Sequence, residues 1–399
     1  MQKRFVGFVS AVGLIAVGLM VSASSAGAQS TIKIGMINVY SGQFADAGIQ
    51  MDNGAKTYIQ QHGDTVAGRK IEIIRKDVGG VAPDVAKRLA QELIVRDKVD
   101  ILAGFLLTPN ALAASDVSAE AKKFMVIMNA ATSIITTKSP YSVRTSVTLP
   151  QVAETFGTWA AKKGGIKKTY TMVTDYGPGH DFESGFQRAF KEAGGEVIGQ
   201  VRFPVANPDF AAFVQRAKDI NPESIMVFIP GGAQPAALGK AFAERGIDLQ
   251  KTKVLGSGET TAEQALKSMG DNAIGIITAW HYIYTNKSPK NVAFSKLYNE
   301  MHKRNPDFFS SGGYDGMHVI YEALKKTGGK TDGDALIAAA KGLKWESIRG
   351  PMSIDPETRD VVQTLYISKV EKLAGGELEN VPFDKIENVK DPVKARMPK

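Results

Sequence analysis

The sequence predicts an α/β protein built as two doubly wound parallel-sheet lobes, joined by a hinge that the chain crosses three times. Three observations carry this expectation. Short apolar runs alternate with helical periods from Thr31 to Thr132. The alternation restarts at Gln151 after the irregular, proline-bearing segment SPYSVRTSVTLP at 139–150. Beyond Thr285, three helical patterns follow one another with no strands of their own to cover. Strand–helix alternation with right-handed crossovers builds parallel sheets, and helices lacking strands must pack on a sheet already made.

The chain begins with Lys3 and Arg4, an apolar run from Phe5 to Val21 and a small-residue stretch ending Ala26-Gly27-Ala28. That is the pattern of a secretory signal peptide, residues 1–28, cut before Gln29. A membrane-anchoring helix is the competing reading, because the apolar run nearly spans a bilayer. The 399 residues contain no cysteine, which excludes disulfides and a lipid-bearing cysteine after the signal. The mature protein is therefore expected free in the periplasm, held by ordinary cores. The formal charge of +8 falls to about +6 once Lys3 and Arg4 leave with the signal. The excess is scattered over pairs such as Lys167-Lys168 and Lys325-Lys326, without the interleaved aromatics of a nucleic-acid groove. No nucleic-acid partner is expected.

The elements follow in order. Thr31–Val39 alternates as a first strand and opens through Ser41-Gly42-Gln43-Phe44 into a helix. Lys70–Lys76 is a second strand, and Pro83–Arg96 a helix with Val85, Leu89 and Leu93 on one face. Asp100–Thr132 reads as strand, turn, helix, strand, turn. The second lobe alternates from the helix Gln151–Lys163 to the strand Lys253–Gly256, then a strand Ile274–Ala279 runs into Trp280-His281-Tyr282-Ile283-Tyr284. The expected division is 29–147 for lobe 1, 148–283 for lobe 2, 284–349 back in lobe 1, and 350–375 in lobe 2. The stretch 376–399 is expected as a loop-like tail.

Asp100–Thr132 is where a site is expected. Thr108-Pro109 starts a helix just past a strand end, with a hydroxyl residue at the cap and proline at the first helical position. In open parallel sheets ligands sit outside the carboxyl ends of strands, and a helix N-terminus there offers free N–H groups to an anion. The next strand ends in Asn129-Ala130-Ala131-Thr132, bringing a second hydroxyl alongside. Read without ligand, Thr108 is simply a cap and Thr132 a turn residue.

Across the mature chain, IKIGMINVYSG, GFLLTPNALAASD, MNAAT, YSVRTS, DYGPGHDF and GGYDGMHVIYEAL stand in that order. Their order and spacing resemble the leucine/isoleucine/valine-binding type of periplasmic solute-binding proteins, class I fold, which serve ABC importers. The resemblance implies a ligand carboxylate held at Thr108 and Thr132, with the carbonyl of Ala130 facing an ammonium group. It implies an aromatic contact from lobe 2 at Tyr176, beside Asp175, and lobe-closing contacts from Gly231 to Gln234. A family aromatic falls near Ala47, which enlarges that corner beside Phe44. The glutamate that receives the ammonium aligns with either Gly258 or Glu259. An inward Glu259 favours an α-amino acid. Gly258 in that place leaves an ammonium unpaired and favours an amine-free, aromatic or aliphatic acid. The implied partners are a small-molecule ligand and an inner-membrane ABC permease; a monomer without cofactor or metal is expected.

An enzyme is disfavoured. His62, His180, His281, His302 and His318 show no HExxH spacing, GxSxG is missing, and GxGxxG does not follow the first strand. A carboxylate pair from Asp175 and Glu259 is the one catalytic arrangement the sequence leaves open. A periplasmic sensor of the same fold, reporting to a membrane receptor, is the other alternative.

Overall fold

Strand-forming runs of isoleucine, valine and methionine separate into two sheets at the point where the proline-bearing segment interrupts them. The computed structural model describes residues 31–397, together with Met1, Gln2 and Gly7, so the remainder of the expected signal segment and its cleavage point lie outside the described residues. The first sheet contains β1 (Ile32–Asn38), β2 (Thr65–Val66), β3 (Arg69–Asp77), β4 (Ile101–Gly104), β5 (Met125–Ile127) and β6 (Ser142–Arg144), in the order β2-β3-β1-β4-β5-β6. All its pairings are parallel except the β2–β3 hairpin. The chain winds from β1 to β3 on one side and then to β4 on the other, which opens a crevice at the carboxyl ends of β1 and β4.

The second sheet contains β7 (Lys168–Thr174), β8 (Glu196–Phe203), β9 (Ser224–Phe228), β10 (Lys253–Ser257) and β11 (Ile277–Trp280), extended by β12 (Lys344–Ser347), β13 (Gly350–Ile354), β14 (Val361–Lys372) and β15 (Leu378–Val389). Its parallel part runs β11-β10-β9-β7-β8, and β14 joins β11 antiparallel. Here the winding reverses between β7 and β9, so a second crevice opens at their carboxyl ends.

The strandless helices return to the first sheet, as expected. Helix Phe308–Lys326 lies on helix Ala45–His62 so closely that a Cβ on Gly54 would stand 1.9 Å from the Ser310 carbonyl oxygen, and one on Gly313 would stand 2.0 Å from that of Met51. Tyr58 packs edge-on to Tyr314, with ring centroids 5.0 Å apart, and Tyr321 donates its hydroxyl to the Gly63 carbonyl. Two buried guanidiniums tie the crossings together. Arg349 pairs with Asp315 at 2.8 Å and donates to Gln363 and to the Thr145 carbonyl. Arg144 pairs with Asp360 at 3.1 Å, and Lys394 reaches the same carboxylate.

Two details depart from expectation. β12 already pairs with β13, so the chain has rejoined the second sheet by Lys344. The stretch after Gly375 is not a loop: LENVPFDKIENV forms the 12-residue β15 along β14. Lys385 and Glu387 face solvent on this edge strand while Glu379 and Asp384 are half-buried, which hides the alternation. The strand is held to Trp159 by the Phe383 ring and by the indole N–H donating to Asp384.

Candidate functional site

The two crevices face one another and enclose one small cavity. Lobe 1 contributes Phe44, Ala47, Leu106, Leu107, Thr108, Asn129 and Ala131; the hinge side adds Leu149 and Phe309; lobe 2 contributes Tyr176, Pro178, Pro230, Gly231 and Glu259. About 380 Å³ inside and at the mouth of this lining is free of atoms, open solvent included, and about 20 Å³ of it admits the centre of a water-sized sphere. The lobes are closed. The Ser133 N–H donates to the Asp181 carboxylate at 3.3 Å across the gap, and a Cβ on Gly232 would stand 2.6 Å from the Gln43 carbonyl oxygen.

The lobe 1 end is arranged for an anion. Leu107, in extended conformation, precedes helix Thr108–Glu120, and no side chain caps it. Thr108 is therefore not the cap that its position suggests; it is the first helical residue, 4 % exposed, and its hydroxyl accepts from the Thr132 N–H at 3.5 Å. The helix's first turn leaves N–H groups without intrahelical acceptors. Thr132 is 5 % exposed, and its buried hydroxyl has no hydrogen-bond partner. A buried hydroxyl without a partner is costly. Thr132 Oγ1 lies 3.6 Å from where a Cβ on Gly177 of lobe 2 would stand.

Arg144 holds this loop from behind. Fully buried, it donates to the carbonyls of Ala130 and Thr132 at 2.9 Å each, Ser133 at 3.3 Å and Val147 at 3.4 Å. In the sequence it stands within YSVRTS, with nothing local to mark it as buried. The result corrects one expectation. The Ala130 carbonyl, assigned to an ammonium group by resemblance, accepts from a guanidinium, and Ala130 does not line the cavity.

The lobe 2 end has a single ionisable carboxyl. Glu259 lies in the short 3-10 turn after β10, is 7 % exposed, and accepts the Gly231 N–H through Oε2 at 2.8 Å. Burial pushes its pKa from 4.5 up to about 7, only partly opposed by that hydrogen bond. Burial also raises the Tyr176 hydroxyl well above its ordinary value, and the charge of Glu259 adds to the effect. The Gly258/Glu259 ambiguity resolves physically. Glu259 lines the cavity, whereas Gly258 faces Trp280, whose ring would lie 2.2 Å from a Cβ there.

Other expected residues fall elsewhere. Asp175 is exposed and pairs with His180 at 2.6 Å, outside the cavity, so it forms no carboxylate pair with Glu259 across the cleft. Gln234 begins helix Gln234–Glu244 and donates to the Val205 carbonyl within lobe 2 instead of reaching the cavity. The run after β11, Trp280, His281 and Tyr282, is buried outside this lining as packing between elements, with Trp280 edge-on to Phe308 at 5.2 Å. Phe44, Ala47, Thr108, Tyr176, Gly231 and Glu259 do line the cavity, whereas Thr132 does not. Phe309 was missed because it joins the site from a helix start some two hundred positions after Thr108; only tertiary packing brings it there.

Two lobes crossed three times by one chain and closed on a cavity at both sheet switch points are the architecture of a hinge-closing binding protein. The family profile described as "Periplasmic binding protein" matches residues 31–377. The Leu/Ile/Val-binding protein homolog 6 of Brucella melitensis biotype 1 is 39 % identical over 386 residues, covering 96 % of this chain and 98 % of that protein. A solute-binding protein of an ABC transporter from Rhodopseudomonas palustris BisB5, solved with 3,4-dihydroxybenzoic acid, is 52 % identical with a TM-score of 0.88 over 91 % of this chain and 99 % of its own. Its counterpart from Rhodopseudomonas palustris HaA2, solved with p-hydroxybenzoic acid, is 39 % identical with a TM-score of 0.89 over 92 % of this chain and 100 % of its own. The chain belongs to the periplasmic binding protein family. Among the described residues no helix is long and apolar enough to cross a membrane.

Proposed function

We propose that this protein is the exported substrate-binding component of an ABC importer and that its cargo is a small aromatic carboxylate. The observation that carries this reading is the pairing of flat apolar walls with an anion-seeking end. Phe44, Phe309, Tyr176, Pro178 and Pro230 line the cavity beside Thr108, and Thr132, whose N–H reaches the Thr108 hydroxyl, has a buried hydroxyl without a partner. A planar ring fits between such walls. Its carboxylate takes charge-assisted hydrogen bonds from both threonine hydroxyls and the helix N-terminus. Relatives solved with dihydroxybenzoic and hydroxybenzoic acids support the same class.

An inward Glu259 by itself favours an α-amino acid. Arg144 weighs against that choice. Its guanidinium donates to the Ala130 carbonyl, taking one of that oxygen's two lone pairs, so a ligand ammonium there meets a like charge close by. An amine-free acid avoids that cost.

Closure is a population shift driven by contacts that exist only when both lobes meet the ligand. The closed form is then presented to an inner-membrane permease, with the protein acting as a monomer after its signal segment is cut before Gln29. The test is a thermal-shift screen of the mature protein, followed by calorimetry, against two panels: benzoate-class acids and apolar amino acids. A bound ligand raises the melting midpoint by mass action. Stabilisation by aromatic acids is expected; stabilisation by amino acids alone overturns the proposal, and silence across both panels favours the sensor or another solute class.

A further inference from the structure

The cavity is asymmetric in a way that an unsubstituted aromatic acid does not use. One end offers hydrogen-bond donors; the other offers Glu259, the one acidic side chain in the lining. Glu259 accepts the Gly231 N–H through Oε2, and among the described residues no protein group donates to Oε1. Around it stand apolar and aromatic groups, with no cation in the lining to balance it. A benzoate ring placed with its carboxylate on Thr108 and Thr132 leaves this carboxyl oxygen facing carbon. A buried polar group without a partner penalises the complex.

Resting on the aromatic-carboxylate reading, we propose that Glu259 is a specificity-determining residue that pairs with a ring hydroxyl remote from the ligand's carboxylate, so that the preferred cargo is a 3- or 4-hydroxylated aromatic acid. The phenol is suited to this place because it both donates and accepts. It donates to the ionised carboxylate and accepts from the protonated acid, so it satisfies Glu259 in either state near neutrality, where burial has moved its titration. An ammonium group satisfies only the ionised state. A hydroxyl next to the carboxylate bonds internally and lies at the wrong end, so it gains nothing from Glu259.

Sites built to hydrogen-bond a ligand hydroxyl reject the analogue that lacks it far more strongly than apolar sites reject a change of size. Calorimetry on the mature wild-type protein is expected to show 4-hydroxybenzoate or 3,4-dihydroxybenzoate binding at least tenfold tighter than benzoate, 4-methoxybenzoate and 2-hydroxybenzoate. In Glu259→Leu the ratio between 4-hydroxybenzoate and benzoate is expected to fall to within threefold. The ligand series in the wild type stands by itself if that variant does not fold. Equal wild-type affinity for 4-hydroxybenzoate and benzoate overturns this inference while leaving the aromatic-acid reading intact, as does a wild-type ratio that persists in Glu259→Leu. Binding of leucine, with no aromatic acid bound, overturns both and assigns Glu259 to an ammonium group.

Discussion

Replacing Thr132 with valine removes one hydroxyl and keeps the branched shape. In the closed protein that hydroxyl is buried and has no protein partner, so in the unliganded molecule nothing is lost with it. The ligand-bound molecule loses a donor to a desolvated carboxylate. Hydrogen bonds to charged groups contribute roughly 1.5–3 kcal/mol. At about 1.4 kcal/mol per factor of ten, that is on the order of a 10- to 150-fold weaker Kd. Thr132→Val is therefore expected to weaken aromatic-acid binding within that range in calorimetry, while the unliganded melting midpoint stays level or rises. Thr132→Ser keeps the hydroxyl and should recover most of the affinity. An affinity change below twofold refutes the assignment of Thr132 to the carboxylate. A fall in unliganded stability equal to the loss of binding energy refutes it as well, because the hydroxyl would then support the fold.

Three further outcomes follow from the same geometry. A Cβ on Gly231 would stand 2.8 Å from Phe309 Cζ across the closed interface, so Gly231→Ala is expected to weaken ligand binding at least tenfold with little change in the unliganded midpoint; unchanged affinity means the lobes do not close at this contact. Arg144→Leu deletes four carbonyl contacts and leaves Asp360 with Lys394 as its remaining cation, so urea denaturation should show a loss of about 3 kcal/mol; a loss below about 1 kcal/mol contradicts its bracing role. For Glu259 the sign follows from its raised pKa of about 7. The folded state binds more protons than the unfolded state, so this group's contribution to stability falls as pH rises from about 4.5 to 7. Glu259→Gln should therefore raise the unliganded midpoint relative to wild type more at pH 8 than at pH 4.5. Asp307, which burial also pushes up to about 7, is common to both proteins and cancels in the comparison. An equal difference at the two pH values refutes the burial argument.

The lobe architecture was legible because its signals are local. Apolar runs such as Ile101–Gly104 and the proline after Thr108 report strand ends and helix starts within a few residues, and the restart after 139–150 reports the second sheet. β15 was not legible, since an edge strand exposes one face and its charges blur the alternation. Cavity-lining positions were legible where one turn supplies them, as at Thr108 and Tyr176. Asp175, Gln234 and Ala130 fall outside the lining, where the side chain or carbonyl meets another protein group: His180, the Val205 carbonyl and Arg144.

By itself the sequence determined that two α/β lobes with a hinge would bring strand ends and a helix start to face one another across a cavity, since periodicity and turn chemistry are properties of neighbouring residues. Only the tertiary structure decided that Glu259 rather than Gly258 faces the cavity, that Phe309 closes it from a distant helix, and that Arg144 donates to the Ala130 carbonyl. Those outcomes depend on which groups meet across hundreds of residues. In a desolvated site each donor's choice of acceptor is settled by packing and by the cost of leaving a charge unpaired.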